Sequence, residues 1–288
     1  MNFAYVINEF LRSPKVVGLS RSTRYNLKHA LAIAQEELGM LAVEQIRPSA
    51  VQKFLDKHEA FPGKQTLLRA ALRSLEEWAI VRDYLPFPIT TGVKAIKSKR
   101  EGHRPWTDEQ IALAIKHSRP HIARAIMLTV ETGQRGSDIV RMEWSHLETF
   151  KGVLGINVKQ RKTGRKLWIP LSVEFAAELA TWERRFPPFL ILSPEGCTYS
   201  REWLSKEWTL QKAKIAELAN EDITFHGLRA AKVIKLRLEK KTDSQIANLV
   251  GMSVPMVTRY ARQADQRQAA YEAMEKPLDN VVRIKGKT

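Results

Sequence analysis

Residues able to handle a phosphate group recur along this chain in a fixed order. Arg135 lies in Thr132-Gly133-Gln134-Arg135-Gly136-Ser137-Asp138-Ile139, and Lys162 lies in the basic stretch Gln160-Arg161-Lys162-Thr163-Gly164. His226 and Arg229 form an H-x-x-R string, and Tyr260 follows near the end. Guanidinium groups grip phosphate oxygens in forked geometry, Lys and His move protons, and a tyrosine hydroxyl can attack phosphorus. Together these types make a phosphoryl-transfer site that needs no metal. The sequence carries no Walker-type loop and no acidic metal cluster, so neither metal nor cofactor is expected. Each string has a plainer reading alone: a salt-bridged helix corner, a structural histidine at a helix end, a tyrosine in a core. Their combination and order give the chemical reading its weight.

The elements that must position these residues are legible around them. Gly133 permits a tight bend, after which Ser137 and Asp138 support a new helix while Arg135 points from the bend. Asp138, three residues on, can orient the Arg135 guanidinium by a paired hydrogen bond. Residues 155–170 alternate apolar and polar around Lys162-Thr163-Gly164, which predicts a hairpin with a basic tip. At a helix start, a spacing of three puts His226 and Arg229 on one face. Residues 242–260 read as a helix, a Gly251-Met252-Ser253 turn, and a second helix opened by Ser253 with Pro255 in its first turn. The same segment also fits a helix-turn-helix whose second helix would enter a major groove.

Upstream, residues 22–85 show helical apolar spacing almost throughout, as in Leu27, Ala30, Leu31 and Ala34 and in Leu68, Ala71, Leu72 and Leu75. Pro48-Ser49 reads as a helix start with Ser able to cap, and Phe61-Pro62-Gly63 as a break before the next helix. Leu85-Pro86-Phe87-Pro88 ends this helical run. A basic, apolar-poor stretch with Lys94, Lys97, Lys99, Arg100 and Arg104 then reads as an interdomain linker, its charge fitting either a solvated tether or, favoured because both flanking domains are basic, a crossing of a DNA backbone. Thr107 with Asp108, Glu109 and Gln110 marks the next helix start. The expected organisation is a helical domain over 1–93, a linker over 94–104 and a second domain over 105–288. The fold class is mainly α with a small antiparallel β-sheet.

The chain has 288 residues with 44% hydrophobic content, enough for two domains with cores. Lys and Arg number 47 against 31 Asp and Glu, a net charge of +16, which favours a polyanionic partner, nucleic acid first. The excess is shared: residues 1–104 carry 17 basic and 10 acidic side chains, so a two-sided clamp on duplex DNA fits better than a basic tail. Cys197 is the only cysteine, which excludes an intrachain disulfide and a cysteine metal site. No signal-peptide pattern and no apolar run of about 18 residues is present, so a cytoplasmic location without a membrane partner is expected.

The string T-G-x-R-x-S-D-I, followed by Trp144 at a strand entry, resembles the first signature of the tyrosine recombinases, the phage integrase family. The later motifs arrive in that family's order. The resemblance implies an all-helical core-binding (SAM-like) domain followed by a mixed α/β catalytic domain. It implies that Arg135 and Arg229 contact the scissile phosphate, with Asp138 bracing Arg135. It further implies that Lys162 protonates the departing 5′-oxygen, that His226 carries a proton beside the phosphate, and that Tyr260 is the nucleophile. Arg161, Arg165 and Lys166, with Lys97, Lys99 and Arg100 of the linker, would attract the DNA backbone. One departure is plain. The family usually places His or Trp after the glycine of the last turn, where this chain has Met252, which cannot donate a hydrogen bond. Ser253 is the nearest group able to substitute.

The activity implied is site-specific cutting and rejoining of duplex DNA through a 3′-phosphotyrosine link, for integration or another strand exchange. The protein would be a monomer when free and a homotetramer on synapsed DNA sites, with a directionality factor as an optional further partner. Too little chain precedes Ser22 for an arm-type DNA-binding domain, which predicts modest dependence on accessory sites. A helix-turn-helix regulator accounts for the charge and for residues 242–260, but gives no reason for Arg135, Lys162, His226 and Arg229 in that order. A type IB-like topoisomerase would share the chemistry without exchanging partners.

Overall fold

The computed structural model describes residues 1–96 and 102–273. Lys97, Lys99 and Arg100 lie outside the described residues, as does the chain after Ala273. The chain divides into two compact units, Met1–Arg100 and Glu101–Thr288.

The first unit is helical, with no strand among its described residues: α1 Phe3–Arg12, α2 Pro14–Val17, α3 Arg21–Leu38, α4 Pro48–Asp56 and α5 Pro62–Ile80, besides a short 3-10 turn at Val43–Gln45. Their starts follow local chemistry. The side chains of Asn2 and Ser20 accept from the Tyr5 and Thr23 amides, while α4 and α5 open on prolines, whose missing N–H would lack a partner there anyway. Ser49 does not cap α4 as expected; Arg47 holds the cap position and Pro48 begins the helix. Helices α1 and α2 extend the helical part ahead of the periodic stretch seen in sequence. Phe3, Ile7 and Phe10 of α1 pack in one core with Leu31, Phe54, Leu68, Leu72 and Leu75. Each such side chain, removed from water, contributes roughly 1.5–3 kcal/mol of transfer free energy. Two glutamines hold the chain where it leaves this unit. Gln52 accepts from the Lys94 amide at 2.9 Å and donates to the Lys94 carbonyl at 3.1 Å, and Gln65 accepts from the Ile96 amide at 2.8 Å.

The second unit runs α6 Asp108–His117, α7 Pro120–Thr132, α8 Gly136–Ile139, β1 Leu147–Phe150, β2 Val153–Lys159 and β3 Lys166–Pro170. It continues with α9 Val173–Ala180, α10 Arg201–Lys212, α11 Gly227–Leu238, α12 Asp243–Val250 and α13 Val254–Ala273. Thr107 and Gln110 form the reciprocal cap expected at the start of α6. The sheet is antiparallel in the order β1-β2-β3, with Gly155 opposite Pro170 and Lys159 opposite Lys166. The hairpin therefore stands where alternation placed it. Strand β1 adds an edge that its polar Glu148-Thr149 did not announce in sequence. Ile156, Val158 and Ile169 turn inward to a core shared with Ile122, Ile126, Leu128, Ile139, Leu204, Trp208 and Leu228. A smaller apolar cluster, Val233, Leu236, Ile246, Val250, Met252 and Val257, joins α11, α12 and α13. Among the described residues no helix is long and apolar enough to cross a membrane.

Candidate active site

Helix α7 ends at Thr132 because Gly133 takes a left-handed conformation, φ 65°, that side chains rarely adopt. A Cβ there would come within 2.9 Å of Val250 Cγ1, so the bend admits only glycine on grounds of space as well. The bend delivers Arg135, half-buried, to the cap position of α8. Arg135 Nη1 is buried with no hydrogen-bond partner among the described residues.

Arg229 comes from the first turn of α11 and is 2% exposed. Its Nη1 donates to the Gly133 carbonyl at 2.6 Å and its Nη2 reaches the Gly251 carbonyl at 3.4 Å. The same guanidinium thus ties the Arg135 bend to the α12–α13 turn. Burial, with Arg135 nearby, lowers its pKa to about 10, so it remains a cation at neutral pH. Two guanidinium groups stand close together around the bend.

His226, at the start of α11, and Tyr260, six residues into α13, come together: His226 Nε2 lies 3.3 Å from the Tyr260 hydroxyl. Burial holds the His226 pKa down to about 4, assisted by His103, Arg229, Arg135 and Arg201. The imidazole is therefore neutral at pH 7, and in the Nδ1–H tautomer it accepts the tyrosine proton through Nε2. A neutral imidazole against a tyrosine hydroxyl, beside two guanidinium groups, has the chemistry that attack on a phosphate requires.

Lys162 is exposed at the hairpin tip, flanked by exposed Arg161 and Lys166. The expected brace of Arg135 by Asp138 takes another form. Asp138, 4% exposed, accepts through Oδ1 from the Arg161 amide at 2.8 Å, and its Oδ2 has no partner among the described residues. The backbone N–H at the end of β2 needs an acceptor, and Asp138 supplies it, so the carboxylate pins the lysine hairpin to α8. Arg165 is exposed as well, and its guanidinium lies against the end of α12. It donates to the Met252 carbonyl at 3.3 Å and to Asn248 Oδ1 at 2.9 Å, where the carbonyl end of α12 attracts a cation.

Met252 is buried in the cluster of α11, α12 and α13, against which Tyr260 also packs, and Ser253 is exposed ahead of α13. Gly251, φ 68°, has no room for a Cβ, which would overlap Leu167 Cδ1 and Gln160 Nε2. Sequence reasoning missed His103. Its ring stands edge to face with His226 at 4.6 Å between centroids, fixed by a 2.8 Å contact from Nδ1 to Thr224 Oγ1. It also assigned nothing to the buried Gln134 and Gln160, although a glutamine inside each motif was a visible signal.

A profile described as the phage integrase family matches residues 107–267. The integrase of Escherichia phage lambda is 24% identical over 77% of this chain and 59% of its own length. The integrase of Escherichia phage HK022 is 30% identical over 73% of this chain and 60% of its own length. The chain thus spans about three-fifths of these relatives. In structure, a lambda integrase dimer bound to a COC' core site superposes with a TM-score of 0.77 at 22% identity, covering 89% of this chain and 97% of that one. A lambda integrase tetramer bound to a Holliday junction gives 0.74 at 21% identity, over 88% and 78%.

Proposed function

Because the chain belongs to the phage integrase family, we propose that it is a site-specific tyrosine recombinase that cuts and rejoins duplex DNA. The single observation that carries this reading is the 3.3 Å contact between His226 Nε2 and the Tyr260 hydroxyl, beside Arg135 and Arg229. The Tyr260 hydroxyl gives its proton to His226 as its oxygen bonds to phosphorus. The bond to the 5′-oxygen breaks, and Lys162 supplies that oxygen with a proton. The 3′-phosphotyrosine stores the bond energy until the 5′-hydroxyl of another strand attacks and releases the enzyme. Arg135 and Arg229 neutralise charge as it builds on the pentacoordinate phosphorus, and deleting one such preorganised donor costs about 3–4 kcal/mol of barrier.

The first domain, 1–93, is the core-binding domain, and 105–288 is the catalytic domain, with 94–104 as a linker crossing the DNA backbone. Both are basic, and they clamp one duplex between them. Exchange between two sites takes four protomers, a number that the lambda integrase tetramer on a Holliday junction supports. The free protein is a monomer and works in the cytoplasm. A DNA-reading helix would have no need of a tyrosine hydroxyl facing a desolvated histidine, which sets the regulator reading aside.

The test is a covalent adduct. Wild type and Tyr260→Phe are incubated with duplexes from either side of the protein's own gene, including nicked versions that trap the cleaved state. Wild type is expected to give a denaturant-resistant protein–DNA adduct and the Phe variant none. DNA binding without any adduct would overturn the proposal.

A further inference from the structure

Gln134 and Gln160 are 0% and 1% exposed, and the chemistry above uses neither. Their amides form a closed network behind the site. Gln160 Nε2 donates to Gln134 Oε1 at 2.8 Å and to the Val250 carbonyl at 3.1 Å. Gln134 Nε2 donates to the same Val250 carbonyl at 3.0 Å and to the Thr132 carbonyl at 3.2 Å. Gln160 Oε1 accepts from Thr163 Oγ1 at 2.7 Å. Each amide N–H and each amide oxygen of the pair has a partner.

The network joins three segments that are distant in sequence. Thr132 and Gln134 belong to the bend that presents Arg135. Gln160 and Thr163 stand on either side of the lysine turn. Val250 ends α12, one residue before the glycine turn that launches α13 and Tyr260. Its carbonyl is among those a helix leaves without an internal partner at its C-terminal end. An apolar pair of similar shape would fill the space as well, and often at no loss of stability. A fully satisfied buried network instead fixes one relative placement of the elements it joins.

We infer that Gln134 and Gln160 are positioning residues that set the Lys162 hairpin and the Tyr260 helix in mutual register through the Val250 carbonyl. General acid and nucleophile act on opposite sides of one phosphorus, so a hairpin out of register with the Tyr260 helix slows cleavage by withholding the proton from the leaving oxygen. A displacement near 1 Å costs about a hundredfold in rate. The inference rests on the proposed recombinase chemistry.

The experiment uses the full-length protein and the duplex on which wild type forms its adduct, in two versions. One carries the ordinary phosphodiester and the other a bridging 5′-sulfur at the cleaved phosphate. With sulfur, the phosphorus–sulfur bond breaks and a thiolate leaves unprotonated, so the lysine's proton is not required. For Gln160→Leu, with unchanged DNA affinity, adduct formation is expected to slow about a hundredfold on the ordinary duplex. On the sulfur duplex most of that loss is recovered. Thr163→Val, an exposed change that releases only the hairpin arm, gives the same pattern more weakly and serves if Gln160→Leu fails to fold. A wild-type rate on the ordinary duplex, or equal slowing on both duplexes, overturns the inference. A wild type without an adduct on either duplex instead overturns the recombinase reading, and does so before any variant is compared.

Discussion

His226 and Tyr260 face each other at 3.3 Å in a setting that keeps the imidazole neutral, and that setting has a measurable consequence. The folded pKa of about 4 lies below the ordinary 6.5, so between these values the unfolded chain takes up a proton that the folded protein refuses. Stability supplied by the neutral histidine is therefore complete above about pH 6.5 and is lost progressively as pH falls toward 4. The DNA-free wild type should lose melting temperature across this window faster than His226→Gln, and its His226 ring resonance should titrate near pH 4. A midpoint near 6.5 would refute the desolvated site. Arg229, proposed to contact the phosphate, is also a buried tie between two carbonyls. Arg229→Ala should lower unfolding free energy by about 3 kcal/mol or more, because it leaves a cavity and unsatisfied carbonyls. Tyr260→Phe removes a single hydroxyl and should cost about 1 kcal/mol or less. Denaturant titration of the two variants separates a loss of folding from a loss of chemistry.

At the scale of elements, the site is the meeting of one bend, one hairpin and one helix pair, and Met252 shows what the meeting requires. Its side chain fills the apolar junction of α11, α12 and α13 with Val233, Ile246 and Val257. Met252→His, which installs the residue usual in the family, should cost about 1–3 kcal/mol by burying a polar ring without a partner. It should leave the adduct rate no higher than wild type, and a large rate gain would refute the placement. The elements themselves were legible because their signals are local: a glycine bend after Thr132, alternation around Lys162, a three-residue spacing from His226 to Arg229. Which elements meet was not legible. The bond from Gln160 to Val250 spans 90 residues, and that from Arg165 to Asn248 spans 83. Periodicity assigns a face to each element but does not say which other element will cover it. Asp138 illustrates the point: its neighbour in sequence suggested a brace for Arg135, whereas its tertiary partner is the Arg161 amide.

For the whole molecule, the governing quantity is the charge of +16 shared between two units with separate cores. Each lysine or arginine that neutralises a phosphate releases condensed counterions, so affinity depends on salt in proportion to the number of contacts. If both units grip one duplex, as proposed, the full chain should behave as a protein with several phosphate contacts on each unit. Its affinity for nonspecific duplex should fall about 10³-fold or more between 50 and 200 mM salt. Cutting the chain at the boundary between Arg100 and Glu101 tests the same idea from the other side. Once one unit is bound, the covalent connection holds the other at high effective concentration, and a cut chain loses that advantage. Separately produced 1–100 and 101–288 should each bind duplex about 10²–10⁴-fold more weakly than the intact chain, with salt slopes that sum to that of the whole. If 101–288 alone matched the intact protein in both affinity and salt slope, the first unit would have no part in holding DNA. The proposed clamp would then give way to the second unit acting alone.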